Sequence, residues 1–115
     1  MKFLLIPTAG PTQAIDVAEN DLLSECYKRI RCDCIETVTI KIQGRSFIMI
    51  VDESGKLNGQ NYNSRATLLY APGLEYIAGN AIIGKIADTA NGLDIVGLDN
   101  DEIYFFERLF GYITE

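Results

Sequence analysis

Within fourteen residues the chain places Asp52, Glu53, Lys56, Asn58, Asn61, Tyr62, Asn63 and Arg65, directly after the apolar run Phe47-Ile48-Met49-Ile50-Val51. A polar loop hung on a buried strand is where binding groups tend to sit, and this one holds more hydrogen-bonding side chains than a connector needs. Three readings stand. As a connector, its Asn and Gly residues satisfy turn geometry. As a small-molecule site, Lys56 and Arg65 hold an anionic group such as a phosphate, Asn58, Asn61 and Asn63 read polar edges, and Tyr62 stacks on a base. As a protein-binding site, the same residues form a polar rim with Tyr62 as anchor.

Catalytic chemistry is thin. The 115 residues contain no histidine, which removes a Ser-His-Asp arrangement, an imidazole base and histidine metal ligation. Gly55-Lys56-Leu57-Asn58-Gly59 lacks both the glycine spacing of a phosphate-cradling loop and the Ser or Thr after its lysine. Asp52 and Glu53 are consecutive, so on a strand end they point to opposite faces and make a poor acid/base couple. An enzyme using Asp52 or Glu53 is the weakest of the functional readings; we expect no catalytic residue and no cofactor. Cys26, Cys32 and Cys34 are an odd number without a fourth ligand, so we expect reduced thiols, at least one buried, and no metal.

The charge is segregated. Residues 1–85 hold nine acids and nine bases, whereas 86–115 hold Asp88, Asp94, Asp99, Asp101, Glu102, Glu107 and Glu115 against Arg108 alone, so the whole net charge of −6 sits in the last quarter. Such a field repels nucleic acid and attracts basic surfaces, with solubility and helix capping as the plainer explanation. Asp94, Asp99, Asp101 and Glu107 are the candidate acidic surface. No apolar run approaches the ~20 residues needed to cross a bilayer, and Phe3-Leu4-Leu5-Ile6, stopped by Pro7, is too short for a signal-peptide core. The expectation is a protein of the cytoplasm that does not engage membranes.

These residues need a scaffold. One domain, 1–115, is expected. Residues 2–6 read as a first strand and 14–17 as a second. Asn20 or Asp21 is placed to cap a helix, with Leu22, Leu23, Cys26, Tyr27 and Ile30 as its buried stripe. Val38, Ile40 and Ile42 alternate with Thr37, Thr39 and Lys41, and Gln43-Gly44 turns that strand into the apolar 47–51 strand, covered on both faces. A short helical piece follows over 64–70, stopped by Ala71-Pro72-Gly73. Strands are expected over 76–86, with Gly79 and Gly84 marking a bulge or close approach, and over 93–98 after the Asn91-Gly92 turn. Asp99-Asn100-Asp101-Glu102 is a capping box, and its helix presents Ile103, Phe106, Leu109 and Phe110 on one side with Tyr104, Phe105 and Tyr112 around the flank. The sum is an α+β fold, a mostly antiparallel sheet with two principal helices, about 20–32 and 99–112, packed on it.

In order and spacing the chain resembles domain-of-unknown-function family 3846, small proteins of phages, plasmids and other mobile elements. The resemblance rests on the segment Asp52-Glu53-x-Gly55-Lys56-Leu57-x-Gly59, on Asn63-x-x-Ala66, on Ile77-x-Gly79 and on the aspartate-capped last helix. Gln60-Asn61-Tyr62 stands where family members carry a proline-bearing stretch. The resemblance implies a mobile-element setting and no activity. In that setting the first expectation is an accessory protein that acts by binding a host protein, such as a counter-defence inhibitor. The alternative is capture of a nucleotide-like ligand between Lys56, Asn63 and Arg65 at a subunit interface, with homo-oligomerisation left open.

Overall fold

The computed structural model describes residues 1–70, 75–111 and 113–114. The chain runs β1 (Lys2–Ile6), β2 (Thr12–Asp16), α1 (Leu22–Ile30), β3 (Ile35–Ile42), β4 (Arg45–Asp52), α2 (Ser64–Tyr70), β5 (Ala81–Thr89), β6 (Gly92–Val96), α3 (Asn100–Phe110) and β7 (Ile113–Thr114). The strands form one sheet in the order β3-β4-β5-β1-β2-β7, with β6 paired to the far half of β5. All ladders are antiparallel except β2 with β7.

Alternation along the central strands creates two cores. On β1, Leu4 and Ile6 point to one face and Phe3 and Leu5 to the other, as the two-residue period of a strand requires. The first core joins Leu4, Ile6, Phe47, Met49 and Ile83 to Ala66 of α2 and Ile103 and Phe106 of α3. The second joins Phe3, Leu5, Ile48, Ile50 and Ile82 to Cys26 and Ile30 of α1. The α+β class and the mostly antiparallel sheet therefore stand, in three layers. The expectation of two principal helices is corrected to three, with α1 on one face and α2 and α3 on the other.

Local expectations fare unevenly. The hairpin β3–β4 turns at Gln43 and Gly44, both at positive φ (51° and 80°), in the primed geometry that suits strand twist. Asp99 accepts from the Glu102 N–H at 2.9 Å and the Glu102 carboxylate accepts from the Asp99 N–H at 2.8 Å, completing the capping box. At α1, Asp21 occupies the N-cap but its side chain makes no cap bond; the Ser24 hydroxyl instead donates to the Asp21 carbonyl at 3.0 Å. The buried stripe of α1 narrows to Cys26 and Ile30, and Leu23 and Tyr27 are exposed. The strand expected over 76–86 is displaced. Ile77 and Ala78 are buried, but that stretch pairs only with the 52–65 loop, through an isolated Tyr62–Ala78 bridge, and the ladder starts at Ala81 and runs on to Thr89. Gly84 does mark a close approach, because a Cβ there would stand 2.7 Å from the Phe3 ring. The expected stop at Ala71-Pro72-Gly73, Tyr112 and Glu115 lie outside the described residues. No helix among them is long and apolar enough to cross a membrane.

Candidate functional sites

Asp52 ends β4 with its side chain buried. Its carboxylate accepts from the Ser54 N–H at 2.9 Å, the Asn58 amide at 3.1 Å and the Gln60 amide at 2.9 Å. Burial works to raise its pKa, but these three bonds to the charged form outweigh burial and hold it below the ordinary carboxylate range. Gln60 also donates to the carbonyl of Ile30, which ties the loop to the end of α1. Asp52 is thus the post around which the loop is wound.

The remaining loop residues are drawn apart. Asn63 is buried; its amide donates to the carbonyls of Ile6 and Gly79 at 2.9 and 3.0 Å, and its oxygen caps α2 by accepting from the Ala66 N–H at 3.1 Å. Arg65 donates to the Thr12 hydroxyl and the Pro7 carbonyl, both at 2.9 Å, and to the carbonyl of Gly10. Its guanidinium holds the β1–β2 connection. Lys56 lies 2.6 Å from the Glu75 carboxylate and 4.3 Å over the Tyr76 ring, and its ammonium lowers the Glu75 pKa. Asn58 is bound to Asp52, Asn61 is exposed and accepts the Gly79 N–H through its carbonyl, and Tyr62 is exposed with its ring edge-on to Tyr76. A nucleotide cradle of Lys56, Asn63 and Arg65 is not assembled, because each uses its donors on a different part of the fold.

The acidic candidates divide. Asp99 is the α3 cap, and Lys85 bridges it (3.7 Å) and Glu102 (2.7 Å), joining β5 to the start of α3. The hydrogen bond to Glu102 raises the Lys85 pKa. Asp94 and Asp101 are exposed, as is Glu107, and none makes an ion pair among the described residues; Asp88 joins them. Apolar side chains stand beside Asp88, on the hairpin face opposite to that of Asp94. Asp88 pairs with Leu93 and Ile86 with Ile95 across the β5–β6 hairpin, so the four share one face, on which Leu93 is 73% exposed.

The thiols are free: Cys26 is buried, Cys32 half-buried and Cys34 exposed. Burial pushes the Cys26 thiol up to about 11, which keeps it protonated and inert. Among the described residues no three Cys, Asp or Glu side chains converge as metal ligands.

One feature escapes a reading of the sequence. The Gln43-Gly44 turn stands over the outer side of α3, and Gln43, Arg45, Asp101, Tyr104, Phe105 and Arg108 line a groove of about 460 Å³ there. The spacing of Tyr104, Phe105 and Arg108 is visible in the sequence, but the turn that meets them comes from sixty residues away.

Fold and surface together define a small three-layer α+β domain whose loop polar groups hold its own backbone and whose last quarter presents unpaired acid. A model of the domain of unknown function (DUF3846) matches residues 1–111, and the chain belongs to that family. No curated protein and no solved structure matches it.

Proposed function

We propose that this protein works by binding, with the acidic surface of the β5–β6 hairpin and α3 as its contact and a basic protein as its partner. The observation that carries this reading is the set Asp88, Asp94, Asp101 and Glu107, exposed and without ion pairs among the described residues, in the last quarter of the chain, where Arg108 is the single base; Leu93 and Ile86 are exposed on the Asp88 face of the hairpin. Glu25, Glu75, Glu102 and Asp52 are committed to Arg29, Lys56, Lys85 and the loop. Glu19, Asp21, Asp33, Glu36 and Glu53 are exposed without ion pairs among the described residues, but they lie in the part of the chain whose nine bases balance its nine acids. Unpaired surface charge steers a complementary partner and sets its register, and the apolar side chains beside Asp88 supply area that leaves water on contact. In the mobile-element setting that the family resemblance implies, the natural target is a basic, nucleic-acid-handling protein of the host, and the protein is a counter-defence inhibitor in the cytoplasm of that host. Turnover is disfavoured because Asp52, the one buried carboxylate among the described residues, has its oxygens taken by three donors.

The test is a variant carrying Asp88→Asn, Asp94→Asn, Asp101→Asn and Glu107→Gln, which leaves Asp99 and Glu102 in the cap. Immobilised wild type is expected to retain a defined set of basic host proteins that the variant, equal in melting temperature, releases. Retention of the same proteins by the variant would refute the acid-surface reading.

A further inference from the structure

The groove between the β3–β4 turn and α3 concentrates positive charge on a molecule that is otherwise acidic. Arg45 and Arg108 both line it, and neither makes an ion pair among the described residues although the chain carries sixteen acids. Each guanidinium faces a ring of α3, that of Arg45 in contact and that of Arg108 further off. The Arg45 guanidinium carbon is 4.5 Å from the Phe105 ring centroid, and that of Arg108 is 6.0 Å from the centroid of Tyr104. Phe105 is itself anchored, its ring 6.0 Å from that of Phe47 in the core. Contact with a ring face restrains a guanidinium and leaves its edge N–H donors directed outward, the geometry that grips an oxyanion by paired hydrogen bonds.

The other lining groups suit a ring joined to that anion. Asp101, Tyr104, Phe105 and Arg108 are three, four and seven residues apart, so they share one face of α3. Tyr104 is 59% exposed and offers stacking area beside Arg108. Gln43 supplies an amide donor and acceptor, and Asp101 supplies an acceptor for a hydroxyl or an amine. A groove of about 460 Å³ lies within the size range of small-molecule sites. The geometry points to a binding site for a nucleoside monophosphate, with the phosphate between Arg45 and Arg108 and the base against Tyr104. A polymer fits less well, because Asp101 lines the groove and the chain carries a net charge of −6, which repels a phosphodiester chain. The site keeps the ligand class weighed for the 52–65 loop but occupies other residues; it shares Asp101 with the acidic surface, while the arginines that carry it take no part in that reading.

Calorimetric titration of the full chain with the four common ribonucleoside monophosphates, with adenosine and with inorganic phosphate tests it. Saturable binding of at least one monophosphate is expected, weakened about tenfold or more by Arg45→Gln and by Arg108→Gln, since each loses a charge-assisted pair. Lys56→Ala, at the loop, is expected to leave that affinity unchanged. Both arginines are exposed, so the variants should match the wild type in melting temperature. The assignment is overturned if no monophosphate saturates, or if the double arginine variant binds as well as wild type. It is equally overturned if inorganic phosphate alone binds as tightly, or if a single-stranded oligonucleotide binds more tightly than every monomer.

Discussion

Asp52 shows how a residue with the look of a catalytic acid becomes a structural one. A carboxylate that accepts three hydrogen bonds is stabilised in its charged form, and its folded pKa lies below the unfolded value of about 3.9. Its contribution is therefore present in full above the unfolded pKa and is lost as pH falls through the lower, folded one. Urea unfolding of wild type and Asp52→Asn should show a stability gap that is constant above about pH 5 and narrows below about pH 4. A gap that stays the same from neutral to acid pH would show that the charge of Asp52 is not what holds the loop. At this scale the sequence displayed which side chains were polar and hid what they would meet. Asn63 and Asn61 stand two positions apart in the same loop, yet one is buried with its amide on two carbonyls and the other is exposed. The partners of Asn63, Ile6 and Gly79, arrive from other strands, so no local pattern distinguishes the two.

Elements with their own punctuation were legible. The β3–β4 hairpin combines strict alternation with a turn whose residues take positive φ, and the α3 cap is a four-residue motif complete in itself. The β5 strand was harder, because Ile77 and Ala78 are as apolar as a strand and are buried by packing on the loop segment, without a ladder. Apolar runs report burial, and pairing depends on which neighbour is available. The α1 stripe is narrower than its spacing implies for a related reason: a nine-residue helix lying on the sheet buries only the side chains directly beneath it. Gly84 tests the packing that places β5. A Cβ at this position meets the Phe3 ring at 2.7 Å and the Val96 carbonyl at 2.9 Å, and both belong to ordered strand or core. Gly84→Ala should destabilise by about 1–3 kcal/mol in denaturant titration, the usual range for overpacking a filled interior. An unchanged midpoint would mean that β1 and β6 can separate to admit a methyl group.

For the molecule as a whole, the segregation of charge was readable by counting along the chain, and the structure adds which acids remain unpaired. Lys85 draws Asp99 and Glu102 into a cluster at the start of α3, leaving Asp88, Asp94, Asp101 and Glu107 to face solvent. What counting could not show is that the two arginines of the β4 start and of α3 meet at one groove. The central claim, that an exposed acid field holds a basic partner, has a direct physical signature. Between about 0.1 M and 1 M salt the screening length falls from about 10 Å to about 3 Å. The measurement is the dissociation constant of the chain for a purified partner retained by the wild-type protein, followed across that range. Affinity is predicted to fall by well over about tenfold, with the slope nearly abolished in the four-site neutral variant. A dissociation constant that does not move with salt would contradict the account.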